Sequence, residues 1–146
     1  MTSYISADLR RQVQMRANDL CEYCLIHEDD TVFGCQVDHI VSEKHQGETE
    51  ADNLCYACAI CNRSKGTDIG SIAPSTGDYV RFYNPRTDRW GDHFDLNEAQ
   101  IVPKTTIGEA TAKTLGFSGS ERIQEREALR SVGRYPPAEA AKLFGI

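Results

Sequence analysis

Cys21-Glu22-Tyr23-Cys24, then Val37-Asp38-His39-Ile40-Val41, then Asn53, then Cys58-Ala59-Ile60-Cys61-Asn62-Arg63-Ser64-Lys65: these stretches decide how the first half of the chain reads. Two Cys-x-x-Cys pairs separated by 33 residues suit a tetrahedral metal ion. A two-residue spacer lets both thiolates of a pair turn toward one zinc at roughly 2.3 Å. Four thiolates leave no open coordination position, so Cys21, Cys24, Cys58 and Cys61 are expected to hold a structural zinc whose binding contributes to folding. Between the pairs lie an acid, Asp38, and a base, His39, and directly after the last cysteine an amide, Asn62. The cysteines read as scaffold and the other three as chemistry.

Working outward, Ser6 is the expected N-cap of a helix over 7–18, with Asp8 in its first turn and Leu9, Val13 and Leu20 as its apolar stripe. Residues 31–37 are β-branched and aromatic enough to predict a strand arriving at Asp38 and His39. A polar loop containing Gly47 follows over 42–52, then a returning strand over 53–56, then a helix from Cys58 to Lys65 stopped by Gly66. In the second half, strands are expected over 79–83, 90–94 and 100–102, with a turn at Asn84-Pro85-Arg86. Thr106 with Glu109, and Ser118 with Glu121, are capping-box patterns that open two helices, and a short Ala-rich helix follows Pro136-Pro137. There is no internal repeat and no low-complexity linker, so 1–70 and 71–146 are expected to pack as one domain.

The chain has 146 residues, enough for one core, and 40% of them are hydrophobic. No signal-peptide pattern opens it and no apolar run has the length of a membrane span, so a cytoplasmic location is expected. There, paired cysteines are metal ligands more often than disulfides. Cys35 and Cys55 are expected to be small buried hydrophobes or cross-strand neighbours, without a ligand role. The net charge is −6, and all of it falls in residues 1–70, which hold 6 Lys/Arg against 12 Asp/Glu. That acidity argues against tight non-specific binding to phosphates without excluding an enzyme that cuts them.

Phosphodiester cleavage needs an activated water and stabilisation of charge on the phosphate. A neutral histidine can take the proton, and a hard cation on oxygen ligands can polarise the phosphate. Asp38 beside His39 supplies a carboxylate, and Asn62 an amide oxygen on the helix that follows Cys61. At this point the residues resemble a known family. Val37-Asp38-His39-Ile40-Val41, Asp52-Asn53-Leu54 and Cys58-x-x-Cys61-Asn62-x-x-Lys65-Gly66 are similar to the motif of the HNH endonucleases, of the ββα-metal or His-Me finger fold.

The resemblance implies that His39 is the general base, Asp38 and Asn62 ligate the catalytic cation, and Asn53 steadies the loop and the base. It implies that Lys65 contacts phosphate or supports the helix. With asparagine in the last motif position, magnesium or manganese is expected as the catalytic metal. The stretches around residues 5–13, 82–94 and 134–137 also resemble small stand-alone bacterial HNH proteins.

The expected fold is therefore α+β: a ββα-metal core with a four-cysteine structural zinc over 1–70, and C-terminal strands and helices packed on it. The expected function is metal-dependent hydrolysis of DNA, leaving 5′-phosphate and 3′-hydroxyl ends. Arg63, Lys65, Arg86 and Arg89 are the expected nucleic-acid contacts; for the arginines at the hairpin turn a solvated face is the alternative. His27 reads as a bystander near the knuckle, His45 as an exposed loop residue with a phosphate contact as the alternative, and His93 as a packed strand histidine. The rival is an inactive zinc-stabilised module that binds nucleic acid or protein.

Overall fold

Ser6 begins the fold as expected. Its backbone is extended and its hydroxyl accepts the Leu9 N–H, which opens helix α1 over Ala7–Arg16. The helix stops two residues short of the sequence expectation, because Asn18 and Asp19 both take positive φ. The computed structural model describes residues 4–144.

Two strands and a helix follow the first cysteine pair. Strand β1, Cys35–His39, pairs antiparallel with β2, Leu54–Cys58, in the register Cys35 to Cys58 and Asp38 to Cys55. Helix α2, Ala59–Lys65, leaves β2 directly, and Gly66 caps it with φ of 55°. The predicted strand over 31–37 is thus shorter. Gly34 has φ of +70°, which breaks the extension, and Val32 and Phe33 stand exposed before it.

All five β2 positions are buried, and alternation explains why. Leu54 and Tyr56 pack with Val13 and Ala17 on the α1 side. Cys55 and Ala57 turn the other way, into a larger core with Leu25, Ile26, Trp90, Phe94 and Phe117. A strand with both faces covered reads as a continuous apolar run.

The second half shares that larger core, supplying Trp90, Phe94 and Phe117 among others. Strand β3, Gly70–Ile72, pairs with β4, Tyr79–Arg81. One helical turn, α3, covers Trp90–His93, and β5, Phe94–Asn97, forms a hairpin with β6, Gln100–Pro103. The expected strand over 90–94 is therefore corrected to a turn of helix. Trp90 is fully buried there, its ring centroid 5.0 Å from Phe94 and its indole N–H donated to the Tyr23 carbonyl at 2.9 Å. Phe94 also meets Phe117 and Tyr83 edge-on, at 5.7 Å each.

Three helices close the fold: α4 over Thr106–Leu115, α5 over Ser120–Ser131 and α6 over Ala138–Phe144. Both expected capping boxes are corrected. Thr105, not Thr106, caps α4 through the Gly108 N–H, while Glu109 binds the Ser75 N–H and hydroxyl. At α5 the cap is Gly119, with no side-chain bond. Among the described residues no helix is long and apolar enough to cross a membrane.

Candidate functional site

The two cysteine pairs fold into matching knuckles. In each, the N–H of the second cysteine points at the sulfur of the first: Cys24 N to Cys21 Sγ at 3.5 Å, and Cys61 N to Cys58 Sγ at 3.4 Å. Cys58 ends β2 and also caps α2, so hairpin and helix meet at this ligand. All four sulfurs lie within 4.8 Å of one another and all four residues are buried. A tetrahedral ion with bonds of about 2.3 Å sets its ligand atoms about 3.8 Å apart. Cys24 Sγ and Cys58 Sγ are 3.8 Å apart, so the cysteines fit such an ion. Burial, with the neighbouring thiols, pushes the Cys21 thiol well above its ordinary range, so a cation bound there must displace its proton.

Cys35 and Cys55 are not members of this cluster and do not pair with each other: across the hairpin Cys35 faces Cys58 and Cys55 faces Asp38. Cys55 is buried behind Asp38, and burial, helped by the Glu22 and Asp38 charges, pushes its thiol up to about 12. It is inert there.

β1 carries Asp38 and His39 to the mouth of a cleft of about 390 Å³, lined also by Ser42, Glu43, Lys44, Gly66 and Thr67. His39 Nε2 lies 2.9 Å from the Thr49 hydroxyl and 3.9 Å from the Glu43 carboxylate. A hydroxyl can donate to a neutral imidazole or accept from a protonated one, so this contact holds the ring in either state. Burial pushes the Asp38 carboxyl above the ordinary carboxylate range, against the pull of the Lys65 ammonium. Its Oδ2 is buried without a hydrogen-bond partner, although Lys65 Nζ stands 3.7 Å away. A half-satisfied buried carboxylate oxygen fits a hard cation.

Asn53 makes the loop. Its Oδ1 accepts the Val41 N–H, and its Nδ2 donates to the carbonyls of Val41 and Glu48, each at 2.9 Å. The loop returns so tightly that a Cβ on Gly47 would stand 1.7 Å from the Val41 oxygen. Asn62 is half-buried and donates to the Gln36 amide oxygen at 2.7 Å, on the β1 face that also carries Asp38. It does not line the cleft itself.

The expected phosphate contacts divide. Lys65 is 2% exposed and donates to the His39 carbonyl at 3.0 Å, so its ammonium is turned inward and braces the strand. Arg86 is ion-paired with buried Glu22, and a phosphate would have to break that pair. Arg63 and Arg89 are exposed, but neither lines the cleft. Among the described residues Lys44 is the cation that does. His45 is exposed, His27 caps a short turn through Asp29, and His93 packs beside Tyr83, its Nδ1 2.6 Å from Thr105 Oγ1.

Sequence reasoning missed Lys44, Glu43 and Thr49, which the polar loop brings to His39. It also missed Arg122, whose Nη2 donates to Cys24 Sγ at 3.0 Å. Thr49 sits four residues before Asn53, and that closeness is the one signal that was available.

Hairpin, helix, four-cysteine cluster and acid–base cleft define a mixed helix-and-strand protein with a metal site built into a candidate catalytic unit. The HNH endonuclease family model matches residues 21–68, the segment that holds every one of these features. That match covers about a third of the chain and suggests a nuclease or nucleic-acid-related function. No curated protein and no solved structure matches it.

Proposed function

We propose that the protein is a metal-dependent endonuclease that hydrolyses DNA phosphodiester bonds, with β1, β2 and α2 as its ββα-metal unit. One observation carries the reading: Asp38 and His39 line one cleft together with Lys44, and the buried Oδ2 of Asp38 has no hydrogen-bond partner, only the Lys65 ammonium 3.7 Å away. A retired site has no physical reason to keep a mostly buried carboxylate, one oxygen of it without a hydrogen bond, beside a histidine on one cleft.

In this reading His39 takes a proton from water, with Thr49 keeping the ring aimed and Glu43 stabilising the imidazolium. Lys44 draws the phosphate into the cleft. Asn53 fixes the loop that bears Lys44 and Thr49, and Lys65 fixes the strand by its bond to the His39 carbonyl. Magnesium or manganese on Asp38, with the Asn62 amide oxygen as the second protein ligand, would supply Lewis acidity toward the phosphate. The four cysteines would hold zinc, and the two halves would work as one domain.

The test is cleavage of plasmid DNA with magnesium or manganese, beside a His39→Ala chain purified identically. Cleavage by the wild type alone supports the reading. Equal nicking by both chains removes it.

A further inference from the structure

The first knuckle is gripped residue by residue from the C-terminal half. The Glu22 carboxylate pairs with Arg86, the Tyr23 carbonyl accepts the Trp90 indole N–H at 2.9 Å, and the Cys24 carbonyl accepts the Tyr135 hydroxyl at 2.8 Å. The fourth contact reaches a sulfur. Arg122, on α5 and 98 residues from Cys24, points its Nη2 at Cys24 Sγ at 3.0 Å. The same nitrogen lies 3.6 Å from Cys58 Sγ and 3.9 Å from Cys61 Sγ. It therefore caps one face of the sulfur tetrahedron. The guanidinium is buried, and its Nη1 meets the Glu125 carboxylate at 3.1 Å.

The charges show what the arrangement does. A divalent ion on four thiolates leaves a net of −2 in a buried place, which is costly unless opposite charge stands close. Arg122 supplies a positive charge that no accessible pH removes. Its N–H groups also draw electron density from the sulfurs they face, and a thiolate so engaged is a poorer base and a poorer nucleophile.

We propose that Arg122 is the counter-charge of the four-cysteine centre, through which the C-terminal half sets how tightly the metal is kept and how slowly its thiolates react. The proposal rests on the cysteines holding a metal and not on the nuclease reading, so cleavage is not its readout. Arg122 would act through the cysteines as a positioning residue.

The experiment compares zinc-loaded full-length wild type, Arg122→Gln and Glu125→Gln, with folding followed by circular dichroism. Zinc affinity is read by competition with a chromogenic chelator, and thiolate reactivity by the rate of alkylation with iodoacetamide. Outer partners of metal ligands are typically worth about 10–100-fold in affinity, so Arg122→Gln is expected to weaken zinc by that factor and to speed alkylation. Glu125→Gln is expected to move the other way, because it frees Arg122 from a competing carboxylate. A packing role for Arg122 makes the opposite forecast, since losing Glu125 would then loosen the centre. The proposal is overturned if Arg122→Gln folds and holds zinc within about twofold of the wild type, well below the usual outer-partner effect. It is also overturned if Glu125→Gln weakens zinc or leaves both readouts unchanged, and this arm decides alone if Arg122→Gln does not fold.

Discussion

Replacing Asn53 by alanine and by aspartate separates a loop held by specific hydrogen bonds from one held by shape. Alanine removes three bonds of 2.9 Å, two of them to Val41 and half-buried, the third to the exposed Glu48 carbonyl. At about 1 kcal/mol for each half-buried bond and less for the exposed one, the loss is about 2–3 kcal/mol. With an ordinary urea dependence for a small protein, that lowers the denaturation midpoint by about 1 M. Aspartate has nearly the same shape and keeps the acceptor for the Val41 N–H. Its second oxygen, however, would face two carbonyl oxygens that now receive an amide N–H. The aspartate chain is therefore expected to lose at least as much as the alanine chain at pH 7. Protonation restores one donor, so its carboxyl titrates higher in the folded than in the unfolded state. Part of its stability therefore returns as the pH falls, which alanine cannot match. The assay is urea unfolding of zinc-saturated protein at pH 7 and pH 4.5. An aspartate chain as stable as the wild type at pH 7 would refute the reasoning.

Three further outcomes follow from the same geometry. Gly47→Ala places a carbon 1.7 Å from the Val41 oxygen, so the loop must move; cleavage should fall with little change in zinc content measured by chelator titration. Lys65→Met leaves Asp38 without its cation, and breaking a mostly buried pair from one side costs about 3 kcal/mol, read as a urea midpoint shift that Asp38→Asn on the same background partly reverses. Burial works to raise the Asp88 carboxyl, but hydrogen bonds from Arg81 and the Asn84 N–H outweigh it and hold the group below its ordinary value. A depressed folded value contributes stability above the unfolded one, near pH 4, and loses it as the pH falls through the folded one. An acid titration of the urea midpoint should show this slope in the wild type and less of it in Asp88→Asn.

The sequence was most readable where local chemistry decides the backbone. Ser6 and Gly66 bound their helices at the expected places, and the Cys-x-x-Cys spacing turns both pairs toward one point. Asn53 was assigned to the loop through a resemblance, and its three hydrogen bonds are the physical content of that assignment. Adjacent candidates defeated the reading at α4, where Thr105 and Thr106 are equally good caps by composition. Distant partners defeated it elsewhere. Residues 90–94, with an aromatic at each end, read as a strand, yet Trp90 is drawn into a helical turn by the Tyr23 carbonyl and the Phe94 ring. Arg122 and Arg126 look like ordinary solvent-facing arginines on a polar helix. Both are buried, one by thiol sulfurs and one by the carbonyls of Ala99 and Phe117, and no local pattern announces such partners. For the same reason Lys65 and Arg86 read as free cations until their carbonyl and carboxylate partners arrive from other elements.

The central claim is that the cysteine cluster positions the acid–base cleft without taking part in its chemistry. Its most direct test is DNA cleavage by protein stripped of zinc and supplied with magnesium in excess, followed by return of zinc at one equivalent per chain. The account expects no cleavage by the stripped protein, and recovery of activity together with the native circular dichroism when zinc returns. Full cleavage by zinc-free protein with magnesium alone would contradict it.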